Sequence, residues 1–103
     1  MLLGASGQNI YPEEIEDRLN SMAMVVESVV VQRNEKLVAL IYPDYDEAKS
    51  MGLSNEDLAN IMEQNRQALN QTQPTYCKIT AVELQEEEFA KTPKKSIKRY
   101  LYT

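Results

Sequence analysis

The sequence predicts a small α+β domain, in which a three-stranded sheet packs against helices and a short N-terminal hairpin comes first. Three observations favour this class. Residues 25–32, 36–42 and 78–84 are rich in β-branched and other apolar side chains, as strands are. Residues 12–22 and 54–70 repeat apolar side chains at helical spacing. The length of 103 residues suits a single domain with one modest core.

The N-terminal region predicts a hairpin followed by a helix. Leu2-Leu3 and residues 8–10 flank a turn that contains two glycines, which supply the backbone angles that tight turns require. Pro12 suits the first position of a helix, and the two glutamates after it suit the positive end of the helix dipole. We therefore expect a helix over residues 12–22.

The next segment predicts two strands joined by a turn. Residues 25–32 are dominated by β-branched side chains, and residues 36–42 form a nearly continuous apolar run. Such a run fits a strand that is buried on both faces. Arg33-Asn34-Glu35 is polar and is expected to form the turn between them.

Two helices are predicted after the second strand. Asp44 can cap a short helix that ends at Gly52. Ser54, with Asp57 three residues later, is typical of a capped start to a longer helix over residues 54–70. The apolar face of that helix is expected to belong to the core; it carries Leu58, Ile61, Met62 and Leu69.

The last quarter of the chain predicts a third strand and then a change in the sign of the charge. Residues 78–84 form the strand, and the three glutamates 86–88 after it must be solvated. Residues 1–90 hold 6 basic and 16 acidic side chains, whereas residues 91–103 hold 5 basic and none acidic. The acidic body argues against nucleic-acid binding, while the basic tail either meets phosphates or balances the glutamates.

Composition also argues against several kinds of site. Cys77 is the sole cysteine and there is no histidine, so an intramolecular disulfide is excluded and a zinc site is disfavoured. Cys77 itself is expected to act as a small buried hydrophobe. No apolar run has the length of a signal peptide or membrane span, which predicts a soluble, cytoplasmic protein. No glycine-rich phosphate loop of a known kind is present, so an independent nucleotide site is not expected.

Motifs near both ends resemble the C-terminal domain of adenylate-forming acyl-CoA ligases. Residues 6–16 read S-G-Q-N-I-Y-P-E-E-I-E and are similar to the opening pattern G-E-N-I-x-P-x-E-V-E. Residues 91–99 read K-T-P-K-K-S-I-K-R and resemble the closing pattern K-T-P-x-x-K-I-x-R in its fatty-acyl-CoA ligase form. The valine-rich residues 25–31, followed by residues 37–42, are similar to a paired valine-rich hairpin in that domain.

The resemblance implies that residues 1–103 are the mobile C-terminal domain of a longer ligase, whose N-terminal adenylation domain lies outside this sequence. Such a ligase uses ATP with Mg²⁺ to convert a fatty acid or other carboxylate into acyl-AMP and pyrophosphate, and then forms a thioester with CoA. Rotation of the small domain would supply different groups to the two steps. The isolated chain is expected to be inactive and to bind no cofactor tightly.

The resemblance also implies that the glycine-containing loop near the start meets the pantetheine arm of CoA in the thioester step. Glycine lets a thin ligand lie against the backbone without steric conflict. An ordinary hairpin turn is the alternative interpretation of this loop. The candidate residues are Gly4, Ser6, Gly7 and Gln8.

For the adenylation step, the closing motif of the family places a lysine where this chain has Ser96. A neutral hydroxyl cannot oppose developing negative charge as an ammonium does. Lys95 is the first candidate to replace it, followed by Lys94 and Lys98. On a strand Lys95 would point to the opposite face, whereas a loop could still deliver it. The alternative is a solvated basic tail, and residues 99–102 are expected to anchor that tail to the core.

Two other functions remain open at this point. A free-standing α+β binding or regulatory module would share the size and the order of elements. It would have no reason, however, to carry both end motifs. A ligase domain that has lost adenylation is the other alternative, and Ser96 is the observation that favours it.

Overall fold

A computed structural model of the chain describes residues 2–3, 7, 9–74, 77–94, 96–98 and 101–102. It has the predicted α+β class, with a hairpin, a three-stranded sheet and helices. The elements are β1 (Leu2–Leu3), β2 (Asn9–Ile10), α1 (Pro12–Asn20), β3 (Val25–Arg33), β4 (Lys36–Pro43), α2 (Tyr45–Ser50), α3 (Asn55–Thr72) and β5 (Ile79–Leu84).

The ends of the helices differ slightly from the predictions, and side-chain caps mark the starts of α2 and α3. Helix α1 ends at Asn20 rather than at residue 22. Helix α3 begins after Ser54, which is its N-cap: the Ser54 hydroxyl accepts from the Asp57 N–H, and the Asp57 carboxylate accepts from the Ser54 N–H. The predicted cap of α2 is confirmed, because the Asp44 carboxylate accepts from the Glu47 N–H at 3.0 Å.

The sheet has the order β3-β4-β5 and combines both kinds of pairing. Strands β3 and β4 form an antiparallel hairpin, whereas β4 and β5 run parallel. Asn34 and Glu35 form the hairpin turn with φ values of 51° and 64°. Two successive positive φ angles are typical of two-residue turns whose twist matches that of the strands. The parallel pair needs a long crossover, and α2 and α3 supply it.

One face of the sheet, called the helical face below, packs against α1 and α3. Strand β4 contributes every second residue to this core. The buried side chains of the helical face are Ile10, Ile15, Leu19, Val30, Leu37, Ala39, Ile41, Met62, Leu69 and Ile79.

On the opposite face, called the tail face below, the apolar cluster of described residues contains none from a helix. Val29, Val31 and Leu40 are buried there beneath Phe89, and the partly buried Ile97 and Tyr102 pack against them in the same cluster. The predicted packing of helices against the sheet is confirmed, and among the described residues it concerns the helical face. Because β4 is apolar on both faces, the second face must also be covered, and the segment after β5 covers it. The glutamates 86–88 are exposed, as predicted.

Side chains from the helices hold both outer strands of the sheet. On β3 the Val30 N–H donates to the Glu16 carboxylate at 2.7 Å, and the Ser28 hydroxyl donates to the Asn20 side-chain oxygen at 2.8 Å. On β5 the Asn70 amide bonds both backbone groups of Ile79, at 2.8 and 2.9 Å. These bonds occupy edge groups that would otherwise need water or another strand. Within the described residues, no helix is both long and apolar enough to span a membrane.

Candidate functional site

The predicted site residues fall on two separate parts of the molecule. Gly7 lies in the N-terminal hairpin, whereas Lys94, Ser96 and Lys98 lie in the tail after β5. Gly4, Ser6, Gln8 and Lys95 belong to the predicted site but lie outside the described residues.

Gly7 has a backbone conformation that favours glycine. Its φ is +84°, and a Cβ built on it would meet no described atom within 4 Å. The glycine is thus required by the turn angle, and nothing described packs against it. The hairpin itself is as predicted, with Leu2 opposite Ile10 and Leu3 opposite Asn9.

The tail after β5 forms a short turn, and a β-bridge and hydrogen bonds join the two ends of that turn. Lys91 and Ile97 pair as an antiparallel bridge. The Thr92 N–H donates to the Ser96 carbonyl at 2.8 Å, and the Ser96 N–H donates to the Thr92 hydroxyl at 3.3 Å. Strand alternation therefore does not govern the described residues 92–94 and 96. We call the segment 92–96 the basic turn, of which residue 95 lies outside the described part.

The lysines around the basic turn differ in exposure. Lys94 and Ser96 are exposed, and Lys98 is half-buried. Among the described residues, no carboxylate lies within ion-pair distance of Lys94 or Lys98. Lys94 in the basic turn and Lys98 two residues after it thus carry charges that no ion pair with a described carboxylate neutralises. An anionic group such as a phosphate would complement them.

The segments on both sides of the basic turn are fixed to the tail face. Phe89 is buried, and its ring meets the Tyr102 ring edge-on with a centroid distance of 5.0 Å. The Ala90 N–H donates to the Tyr102 hydroxyl at 2.7 Å, and the Lys98 N–H donates to the Ala90 carbonyl at 2.8 Å. The predicted anchoring by residues 99–102 is thus seen at Tyr102. Leu101 is 56% exposed, and residues 99 and 100 lie outside the described part.

One charged residue at the base of the turn was not identified from the sequence. Lys91 Nζ lies 2.8 Å from Glu27 Oε2 and 3.9 Å from Glu88 Oε2. The hydrogen bond to Glu27 raises the pKa of Lys91, and the charges of Glu27 and Glu88 act in the same direction. Only the position of Lys91 at the start of the closing motif could have singled it out.

An open groove of about 490 Å³ lies between the N-terminal hairpin, α1 and the end of α3. Its lining includes Tyr11, Glu14, Arg18 and Cys77. Burial and the charge of Glu14 raise the pKa of the Cys77 thiol, so it stays protonated at neutral pH. Cys77 is partly rather than fully buried, and it packs against the core of the helical face. The predicted apolar role of Cys77 therefore agrees with its place.

The described residues do not form a metal centre, since no three potential metal ligands among them come together. The described cations of the tail suit a phosphate in charge, but they stand on an open surface rather than in a cavity. A site that encloses a phosphate-bearing ligand would need further residues beside these described cations.

Comparisons with known proteins address the whole chain. The model of the AMP-binding enzyme C-terminal domain family matches residues 1–102. A search of curated proteins finds no match. Many solved structures share the fold, among them three from Mycobacterium and Brucella species.

The adenylation domain of a carboxylate reductase from Mycobacterium chelonae has a TM-score of 0.80 at 15% identity, over 97% of this chain and 17% of that one. A fatty acyl CoA synthetase from Mycobacterium tuberculosis has a TM-score of 0.70 at 21% identity, over 98% and 18%. An acyl-CoA synthetase from Brucella canis has a TM-score of 0.69 at 22% identity, with the same coverages of 98% and 18%.

At these identities the structural likeness concerns the fold, and this chain spans less than a fifth of each of the three solved chains. The family match has a different weight, because it extends over nearly all residues and includes both end motifs. With the sheet, the helices and the basic turn in place, the chain belongs to the AMP-binding enzyme C-terminal domain family.

Proposed function

We propose that this chain is the C-terminal domain of an ATP-dependent acyl-CoA ligase, with a fatty acid as the substrate class. The observation that carries the proposal is the basic turn, an exposed cationic loop fixed at both flanks to a rigid sheet. A loop of this kind can be presented to a phosphate by moving the domain as one body. The family match over residues 1–102 supports the adenylate-forming class, and it argues against an unrelated binding module.

The proposed adenylation step explains the need for a cation. A carboxylate oxygen attacks the α-phosphorus of ATP, the bond to the pyrophosphate oxygen breaks, and acyl-AMP and pyrophosphate are formed. Negative charge concentrates on the phosphate oxygens during the transfer. A lysine ammonium placed against them stabilises the transition state, whereas the Ser96 hydroxyl carries no charge to do so. The second step, attack of the CoA thiol on the acyl carbonyl, releases AMP.

Fatty acids are proposed as substrates for two reasons. The closing motif resembles the fatty-acyl-CoA ligase form, and solved structures with this fold include one named a fatty acyl CoA synthetase. Carboxylate reductases also have this fold, so a reductase that adenylates its acid is the main competitor within the class. The acyl pocket is expected in the partner domain, together with the site for ATP and Mg²⁺.

Within the basic tail, Lys95 is proposed to supply the adenylation charge, with Lys94 and Lys98 as the other candidates. In the full-length enzyme, Lys95→Ala is expected to slow acyl-AMP formation by about tenfold to a thousandfold, as loss of one transition-state contact does. Thioester formation from pre-made acyl-AMP should be nearly unchanged. The measurement is pyrophosphate release in a single turnover. Lys49→Ala, at an exposed lysine on α2, is the matched control.

Ser96→Lys restores the residue of the family pattern and should leave adenylation equal or faster. If the alanine variants of Lys94, Lys95 and Lys98 each stay within about twofold of the parent, the tail is a solvated surface. The assignment of the site to these lysines would then be wrong. A full-length parent that forms no measurable acyl-AMP would instead favour the alternative function, a domain that has lost adenylation. Ser96 is the specific observation behind that alternative.

The isolated 103-residue chain is expected to bind no ATP at micromolar strength, which corresponds to about 8 kcal/mol. The reason is that the proposed site is shared between two domains. Titration calorimetry of the chain with ATP and Mg²⁺ checks this. Micromolar binding would reveal a complete nucleotide site and contradict the half-site interpretation.

The N-terminal loop, with Gly4, Ser6, Gly7 and Gln8, is proposed to meet CoA in the thioester step. Gly7→Ala in the full-length enzyme places a side chain at φ +84°, which strains the turn. It should slow thioester formation while adenylation keeps its rate. Slower adenylation with an unchanged rate of thioester formation would show that this loop does not act in the CoA step.

A further inference from the structure

The ion pair between Lys91 and Glu27 differs from the other long-range ion pair among the described residues. Lys91 Nζ and Glu27 Oε2 are 2.8 Å apart, with side chains 31% and 17% exposed. Arg33 and Glu83 are 2.9 Å apart on the same sheet, but their side chains are 44% and 50% exposed. Water screens the second pair more strongly, so the first has the larger influence on local geometry.

The Glu27 carboxylate has Lys91 as its ion-pair partner among the described residues. Glu27 lies on β3 at an irregularity in the pairing with β4, between Val25 and Glu27. Its Oε1 is buried without a hydrogen-bond partner among the described residues, and its Oε2 is paired with Lys91. Loss of the lysine would leave a half-buried carboxylate with no described partner, which is costly enough to move the segment.

The ion pair also lies at the base of the basic turn. Lys91 is the residue that bridges to Ile97 and directly precedes Thr92, where the basic turn begins. The apolar anchors Phe89 and Tyr102 hold the tail down, but apolar contacts are not directional. A short charged contact fixes direction as well as distance. The ion pair is therefore a directional contact at the base of the turn.

We propose that Lys91 and Glu27 are positioning residues for adenylation: their ion pair sets the orientation of the basic turn, and Lys91 itself does not touch the substrate. This inference rests on the proposed function. Lys91 already faces two carboxylates, Glu27 and Glu88, so its charge is used within the domain. The raised pKa of Lys91 agrees with a charge that persists over the working pH range.

The first test separates the half-reactions in the full-length enzyme. Lys91→Met and Glu27→Gln should each lower the rate constant of acyl-AMP formation at least about tenfold, with KM for ATP within about twofold and the thioester step unchanged. Lys91→Arg, which keeps the charge, should stay within about threefold of the parent. Arg33→Met, at the exposed pair, should leave both steps unchanged. A loss of adenylation in Lys91→Arg equal to that in Lys91→Met would overturn the proposal.

The second test uses the 103-residue chain and needs no activity. The Thr92 and Lys98 amides donate across the base of the turn to Ser96 and Ala90. In Lys91→Met their hydrogen exchange should be at least about tenfold faster, while amides of β3 and β4 stay within about threefold. Unchanged exchange at Thr92 and Lys98 would show that the pair does not hold the turn.

The two proposals fail in different ways. If Lys91→Met and Glu27→Gln adenylate at the parent rate while Lys95→Ala does not, the positioning role is wrong and the proposed function stands. If the alanine variants of Lys94, Lys95 and Lys98 also match the parent, the role proposed for the basic turn is wrong as well. A parent that forms no acyl-AMP would contradict the proposed function itself. A charge-reversed double variant, Glu27→Lys with Lys91→Glu, should recover at least part of the adenylation lost in Lys91→Glu alone.

Discussion

The two faces of the sheet are closed by different means. On the helical face, ten described apolar residues form a buried cluster to which two helices contribute. On the tail face, the buried cluster has four described residues, and one of them, Phe89, belongs to a covering segment with almost no regular structure. The helices satisfy their own backbone groups, whereas the tail relies on single bonds such as that from the Ala90 N–H to the Tyr102 hydroxyl. The larger buried apolar cluster thus lies on one face, and the candidate catalytic turn is attached to the other.

Neighbouring residues of β4 allow the two faces to be compared directly. Ile41→Ala empties the helical face and Leu40→Ala the tail face, and each removes three carbons from a fully buried side chain. Both should destabilise the fold within the range of about 2–5 kcal/mol. Ile41→Ala should cost more, because two packed helices close the cavity less easily than an irregular segment does. Chemical denaturation of both variants measures the difference, and a larger cost for Leu40→Ala would reverse the comparison.

The hydrogen bond between α1 and the edge strand β3 is expected to contribute to the free energy of unfolding. Glu16→Ala removes the carboxylate that accepts from the Val30 N–H, and the expected cost is about 1.5–3 kcal/mol. Glu16→Gln keeps an acceptor and should cost less. Glu13→Ala, at an exposed position of the same helix, should stay within about 0.5 kcal/mol. Equal stabilities of the Glu16→Ala and Glu13→Ala variants would mean that the bond to β3 adds nothing.

On the tail face, a single hydroxyl should matter less. Tyr102→Phe removes the acceptor of the Ala90 N–H but keeps the ring against Phe89. The expected cost is about 0.5–1.5 kcal/mol, with faster exchange of the Ala90 amide. Tyr11→Phe, at a tyrosine that is 48% exposed, is the control. Exchange that is faster throughout β3 and β4 would show that the tail belongs to the global cooperative unit.

The smallest expected effect is a dependence on pH at the base of the basic turn. The folded-state pKa of Lys91 is raised, chiefly by its bond to Glu27, so its contribution is fully present below the ordinary lysine pKa. That contribution disappears as the pH rises through the raised folded-state pKa. The stability difference between the parent and Lys91→Met should therefore be constant at neutral pH and shrink in alkaline solution. A difference that grows with pH would contradict the assigned pairing.

The comparison also separates what sequence could predict from what it could not. The strands β3 and β4 and the helix starts at Pro12 and Ser54 follow from local patterns, because periodicity and caps are written in adjacent residues. The parallel pairing of β5 and the covering of the tail face depend on contacts between distant segments. Phe89 gave no periodic signal for that role, whereas anchoring by residues 99–102 was expected and is seen at Tyr102.

The candidate site shows the same division. The closing motif located the basic turn, and Ser96 marked a departure from the family pattern. The role of Lys91 depends on Glu27, which lies far away in sequence and meets it only through the fold. A run of lysines by itself cannot distinguish a side chain engaged with a carboxylate from one that is free for an anion.

The anchoring of the basic turn from both sides has a consequence for how such domains evolve. Phe89, Lys91 and Tyr102 secure the flanks, while Pro93, Lys94 and Ser96 are exposed and bury nothing. A substitution at the exposed positions can therefore change the chemistry of the turn without disturbing the fold. A lysine can be lost at one position, and a lysine at a neighbouring position can replace its charge. Each such single substitution leaves a folded protein. Substitutions in the basic turn can thus lower, abolish or restore the adenylation activity of such a domain while its folded structure is retained.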